Sequence, residues 1–161
     1  HQKAEQNYAA LLMSIHLLEY SKAKFEQDVR PLLNQKAAEY LSVMTGSQYQ
    51  DLKIDQDYVV RLQPDSNSNS HYYEQAFYSA GLNDQINLSL RLALTELLQD
   101  TGGSIPLILD DPFTQLDQDR TALSLGLLQD LSQRQKRQII LFTSQKSLLS
   151  LARETIQLIN L

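Results

Sequence analysis

The chain has 161 residues, 42% of them hydrophobic, which suits one ordinary domain with its own core. A formal charge of −5 argues against a whole-surface nucleic-acid binder, and the one dense basic cluster, Arg134, Lys136 and Arg137, reads as a solvated helix end. The absence of cysteine excludes disulfides, thiolate catalysis and cysteine-ligated zinc; with no run near the ~18 apolar residues of a membrane span and no signal-peptide pattern, the reading is a soluble, cytoplasmic domain.

The chain opens on His1 rather than methionine, which reads as a fragment of something longer. Tyr8, Leu11, Ile15, Leu18, Phe25, Val29 and Leu32 recur at spacings of three and four, interrupted at Lys22, as a heptad seam does. The apolar stripe is narrow, so it suits a coiled-coil arm or its root, the alternative being a packed surface helix. Pro31 can kink or restart the helix, since it lacks a donor and clashes with the preceding turn. A second helical piece runs from Leu32 to Met44, with Gly46 as a left-handed cap.

Then the period changes. Leu52 and Ile54, followed by Tyr58, Val60 and Leu62, alternate with polar residues around Asp55-Gln56-Asp57 and predict a hairpin. Residues 63–71 read as a surface loop, and Tyr72, Tyr73 and Tyr78 as loop anchors. Leu82, Ile86, Leu90, Ala93, Leu94, Leu97 and Leu98 predict a helix with a broad core face, stopped by Thr101-Gly102-Gly103-Ser104. "PLIL" (106–109) and "QIILF" (138–142) read as buried strands of a parallel sheet, separated by a helix from about Asp117 to Ser132 with Asp117 as N-cap. A short helix begins near Lys146, and "TIQLIN" (155–160) predicts a last strand. Strands alternating with helices place the chain in the α/β class.

Asp110 and Asp111 end the first of those strands, and in open α/β sheets ligands collect at the carboxyl ends of strands. Two adjacent carboxylates there suit a hard cation, one holding Mg²⁺ and the other orienting or deprotonating a water; the plainer reading is a solvated turn. The stretch "YSAGLNDQ" (78–85) opens a helix, where backbone amides, the Ser79 hydroxyl and the small Gly81 make an anion site, and an ordinary N-capped helix is the plainer alternative. His1, His16 and His71 share no predicted site.

The order of "YSAGLNDQINLSLRLAL", "LILDDPF", "QLD" and "ILFTSQ" resembles the carboxyl-terminal lobe of an ABC-type ATPase head, and among these the SMC-like and SbcC-like ATPases, closest to the YhaN-like branch. The resemblance covers roughly residues 35–161, with Gln85 and Arg91 inside the signature segment, and the preceding helix fits a returning coiled-coil arm. It implies a helical arm or root at 1–45 and a lobe of a P-loop NTPase head at 46–161, a parallel-type sheet with flanking helices. It also implies ATP and Mg²⁺ as cofactors, a homodimer of heads, and a role in DNA repair or maintenance with DNA and a nuclease as partners. By the same resemblance Asp110 holds Mg²⁺ and Asp111 takes the place of a catalytic carboxylate that is more often glutamate. Ser79 and Gly81 contact the γ-phosphate on the opposing head, Asp117 sits in the loop crossing the dimer interface, and Gln145 takes the place of a switch histidine.

Asp111 and Gln145 depart from the commonest pattern: the carboxylate is shorter, and glutamine does not change charge near neutral pH. A Walker A loop, G-x-x-x-x-G-K-[ST], is missing, because "GK" never occurs. In the resembling families that loop lies in an amino-terminal lobe, so these residues read as half a head, inactive alone. The rival expectations are a non-hydrolysing scaffold or DNA-bridging module on the same fold, and a phosphate-accepting receiver domain using Asp110 and Asp111.

Overall fold

A computed structural model describes residues 2–55, 57–63, 73–74, 78–99, 105–151, 156–157 and 159. The chain divides into two compact units, residues 1–33 and 34–161.

In the first unit, helix α1 (Gln2–Lys24) is followed by a π-helical turn (Phe25–Val29), which leads into α2 (Arg30–Met44). The π turn accounts for Pro31. A proline at that position has no N–H and crowds the carbonyl one turn back, and widening the preceding turn by one residue relieves the clash. The Arg30 N–H accordingly bonds to the Phe25 carbonyl, five residues back. The apolar seam of α1 is bare within this unit, with Leu18 at 72% exposure. It buries nothing on its own helix.

The second unit begins at Asn34, inside α2, whose Ala37, Leu41 and Met44 are fully buried at helical spacing. Helix α2 stops where predicted: Gly46 takes φ +61° and Ser47 follows at φ +66°. Strands β1 (Asp51–Ile54) and β2 (Val60–Gln63) pair antiparallel with Leu52 opposite Leu62, and both leucines are fully buried. Asp55 organises the turn between them, accepting from the N–H groups of Asp57 and Val59 at 2.9 Å and from Arg61 Nε at 3.0 Å. Tyr58 does not join the strand; it sits exposed in this turn at φ +61°. A two-residue strand, β3 (Tyr73–Glu74), adds to β2 where the sequence suggested only anchored loop, and the Tyr78 hydroxyl accepts from the Leu62 N–H at 3.0 Å. The predicted stop at 101–104 and most of the loop at 63–71 lie outside the described residues.

Helix α3 (Ala80–Gln99) buries Leu82, Gln85, Ile86, Ser89, Leu92 and Ala93. The leucine count placed this face wrongly, since Leu94 and Leu98 are exposed while polar Gln85 and Ser89 point inward. Both inward groups are satisfied: Ser89 donates to the Ile86 carbonyl at 2.7 Å and Gln85 to the Met44 carbonyl at 2.7 Å. Glu96 joins α3 to α2, bonding the Tyr40 hydroxyl and Lys36 Nζ, and this partner raises the Lys36 ammonium above its usual range.

Strands β4 (Leu107–Asp110) and β5 (Ile139–Phe142) pair in parallel, joined by α4 (Gln118–Gln135), and α5 (Ser147–Leu151) follows. The α/β class and the parallel pair are as predicted, but the pair is covered on one face only. Leu107 and Leu109 are buried, whereas Ile108 is 65% exposed and Ile140 and Phe142 are exposed beside it. Arg137 also departs from expectation: it is buried, its guanidinium donates to Thr95 Oγ1 at 2.9 Å, and burial pushes it below its usual range. Ile156, Gln157 and Ile159 form no strand, and the remaining positions of the predicted strand at 155–160 lie outside the described residues.

Two outcomes follow. Leu41→Ala, which empties a fully buried site, lowers stability in urea unfolding by about 2–5 kcal/mol, while Leu18→Ala stays within about 0.5 kcal/mol. The hydrogen bonds to Asp55, first that from the Val59 N–H and then that from Arg61, hold its carboxyl below the ordinary 3.8. A depressed folded value means that the contribution is present above that pH and is lost as pH falls through the folded value. The melting-temperature gap between the wild type and Asp55→Asn therefore closes as pH drops from about 5 to about 2.

Candidate functional site

The acidic pair is two unlike carboxylates. Asp110 is the last residue of β4, and its exposed side chain has no hydrogen-bond or ion-pair partner among the described residues. Asp111 turns out of the strand at φ +40°, a region an aspartate tolerates better than most residues but at a cost. Its N–H still reaches the Phe142 carbonyl at 2.9 Å, so the ladder continues one bond past the strand. Its two carboxylate oxygens accept from the Ser144 N–H at 3.0 Å and the Ser144 hydroxyl at 3.1 Å. Bonding from the Thr143 hydroxyl, and then from Ser144, keeps this carboxyl below the usual aspartate range. Asp111 is thus held and aimed, while Asp110 is free to take a ligand.

Gln145 belongs to the same corner, with its N–H on Thr143 Oγ1 at 3.0 Å and its carbonyl accepting from the Leu148 N–H at 3.2 Å. The hydroxyls of Thr143 and Ser144 were not singled out in advance. Their signal was available, since they follow directly on a parallel strand whose neighbour ends in Asp110 and Asp111.

The stretch at 78–85 is a capped helix start. Ser79 Oγ accepts from the Leu82 N–H at 3.2 Å and the Ser79 carbonyl from the Asn83 N–H at 3.0 Å, leaving the exposed hydroxyl its own proton to donate. Gly81 is buried, and a Cβ built there would lie 2.5 Å from the Gln115 carbonyl oxygen and 3.2 Å from Leu116 Cδ2. The space that the missing side chain leaves is therefore filled by this chain's own backbone. Phe113, 1% exposed, anchors the same loop. Asp117 caps α4 by accepting from the Arg120 N–H at 2.8 Å, and its side chain is exposed.

These segments share one end of the fold. The loop following Asp111 runs directly to the Gln115 carbonyl against which Gly81 packs, and then to Asp117. Beside it, a cleft of about 430 Å³ is lined by Asp84, Asn87, Leu88 and Arg91 of α3 and by residues 108–112 and Thr114. It brings the arginine of α3 to the same cavity wall as the acidic pair. Ser79, Gly81, Asp117 and Gln145 do not line this cleft. Among the described residues no three histidine or acidic side chains converge on a metal site. A single free carboxylate nevertheless fits Mg²⁺, which binds through one or two carboxylates and completes its shell with waters and substrate phosphates.

No protein-family model and no curated protein matches the chain. Solved structures do. One, from work on ATP-driven dimerisation and DNA-stimulated activation of SMC ATPases, matches at TM-score 0.58 and 12% identity over 76% of this chain and 73% of that one. An Smc head domain with an extended coiled coil from Pyrococcus furiosus, bound to the C-terminal domain of ScpA, matches at TM-score 0.60 and 14% identity over 94% and 37%. The SMC head domain of Thermotoga maritima matches at TM-score 0.53 and 16% identity over 82% and 44%. The fold is therefore that found in SMC heads, and the chain spans less than half the length of the latter two.

The contact at Gly81 yields a test needing no ligand. Gly81→Ala forces a methyl group into a backbone carbonyl and lowers stability in urea unfolding by about 1–3 kcal/mol.

Proposed function

We propose that this chain is the carboxyl-terminal lobe of an ATP-hydrolysing head of the SMC and SbcC-like kind, nearest the YhaN-like branch, whose heads dimerise around ATP. The observation that carries the reading is the docking of the Ser79–Gly81 helix start onto the loop that follows Asp110 and Asp111, on a fold shared with SMC heads. One rigid edge then carries both a phosphate-facing helix start and a cation-ready carboxylate.

In this reading Asp110 holds Mg²⁺, and the ion, when bound, supplies charge neutralisation to the phosphates. Asp111 orients the attacking water. Its hydrogen bonds from Ser144 favour aiming over strong proton abstraction, because they stabilise the charged form. Ser79 donates its free hydroxyl proton to a γ-phosphate oxygen on an opposing head, and the first turn of α3 adds backbone N–H groups and its dipole. Gly81 acts by keeping that turn seated against Gln115. Asp117 presents an exposed carboxylate at the dimer edge, and Gln145 stands where a switch residue would sense the phosphate. Nucleotide favours the closed pair because Ser79 meets phosphate only there.

One further feature supports the reading. The parallel strands leave Ile108, Ile140 and Phe142 bare, although parallel sheets are normally covered on both faces. An amino-terminal lobe of the same protein would supply the cover, and the reading requires it to carry the Walker A loop that this sequence lacks. The proposal extends to a helical arm or root at 1–45, a lobe at 46–161, a cytoplasmic setting, and work on DNA repair or maintenance with DNA and a nuclease as partners. The engaged Asp111 carboxylate and Gln145 favour slow turnover, whose limit is a scaffold that binds ATP without hydrolysing it.

In the full-length polypeptide, Asp111→Asn lowers kcat for ATP hydrolysis by roughly 10²–10⁴-fold while nucleotide-dependent dimers persist in analytical ultracentrifugation. Unchanged hydrolysis in that variant removes Asp111 from its role, and a wild type that forms dimers with ATP but shows no turnover establishes the scaffold.

A further inference from the structure

The buried amide of Gln85 does a job that the reading above leaves unassigned. Gln85 is 1% exposed, and its Nε2 donates at 2.7 Å to the carbonyl of Met44, the last residue of α2. That carbonyl is one of the four at a helix end with no partner inside the helix. The other end of the amide, Oε1, lies 3.5 Å from Arg120 Nη1. Arg120 in turn donates from Nη2 to Gln48 Oε1 at 2.8 Å, just past the end of α2, and its Nε lies 3.7 Å from the Asp117 carboxylate.

The chemistry of the two neighbours selects glutamine. A carbonyl can only accept and a guanidinium can only donate, so the side chain between them must donate at one end and accept at the other. Glutamate would set a carboxylate against the Met44 carbonyl, and methionine would serve neither partner. Gln85 also lies one helical turn after Gly81, on the face that packs against residues 115–120. One helix face therefore fixes Ser79 and Asp117 relative to each other and ties both to the end of α2.

We infer that Gln85 is a positioning residue that couples the end of α2, residues 44–48, to the edge carrying Ser79 and Asp117, so that closing this edge on nucleotide tightens the 44–48 turn. The inference rests on the ATPase reading and adds a mechanical link between nucleotide and the helix leading into the lobe. Arg120 and Gln48 complete the link, and none of the three lines the cleft that holds the acidic pair.

The test uses the full-length polypeptide with ATP and Mg²⁺, reading steady-state hydrolysis and backbone hydrogen exchange at residues 45–48. In the wild type, ATP slows exchange in this segment. Gln85→Met abolishes that response and lowers kcat by about tenfold with KM for ATP within about twofold, the signature of lost positioning rather than lost binding. Gln48→Ala removes an exposed partner of Arg120 without emptying the core, so it serves where Gln85→Met fails to fold. It halves the exchange response or more. A wild type that hydrolyses ATP with no change in exchange at 45–48 overturns the coupling alone, as do variants that keep both wild-type kcat and the ATP response. A full-length protein with neither ATP binding nor hydrolysis overturns the ATPase reading, and the coupling with it.

Discussion

A carbonyl oxygen 2.5 Å from where a Cβ would stand at position 81 constrains the rest of the site. With glycine there, α3 can sit flush on the loop between the acidic pair and α4; with any other residue the helix start and the loop must separate. Phe113 pins that loop from below, and Asp117 stops it by capping α4. The cap serines and aspartates are ordinary local devices, but the close contact makes them one object. Ser79 and Asp117 inherit their relative placement from packing that excludes water, not from flexible surface bonds.

The acidic pair shows how a strand end assigns different tasks to adjacent identical residues. Asp110 keeps strand geometry, and its carboxylate has no partner among the described residues. Asp111 takes a left-handed backbone angle, which swings its carboxylate onto the Ser144 donors just past the neighbouring strand. Backbone strain at a non-glycine residue persists only where the surroundings over-determine it. Here the surroundings are a continuing ladder bond to Phe142 and the Ser144 hydrogen bonds. A glutamate at 111 would not fit this arrangement unchanged, so the shorter side chain is matched to its own seat.

Much of this was legible from residue order. The cap at Gly46, the hairpin, the parallel pair and the Asp117 cap all follow from residue types and apolar patterning along the chain. What was not legible depended on partners far along the chain. Gln85 and Ser89 look like the solvent face of α3 until the Met44 carbonyl and the helix backbone are seen to satisfy them. Arg137 looks like a solvated helix end, yet Thr95, forty-two residues away, receives it in the core. At Gly81 the sequence shows only a small residue in a polar turn; that Gln115 packs where its Cβ would stand is set by a segment more than thirty residues on. Periodicity reports which face is apolar; it cannot report which polar group has been promised a buried partner.

The bare face of the β4–β5 pair carries the argument one step further. Strands that lie against helices on one side and water on the other normally alternate apolar and polar residues. Residues 106–109 and 139–142 do not alternate: Ile108, Ile140 and Phe142 are as apolar as the buried Leu107 and Leu109 between them. Single exposed apolar residues need no explanation, but three adjacent on one sheet face form a patch of the kind that marks an interaction surface. The cleft holding Arg91 and the acidic pair includes Ile108 in its wall, so a polypeptide layer laid over this face would also enclose the carboxylates. Closing off water there would strengthen the electrostatics around Asp110 by lowering the local dielectric. The apolar face and the unsatisfied carboxylate are therefore complementary features: the same covering layer would bury the first and give the second its setting.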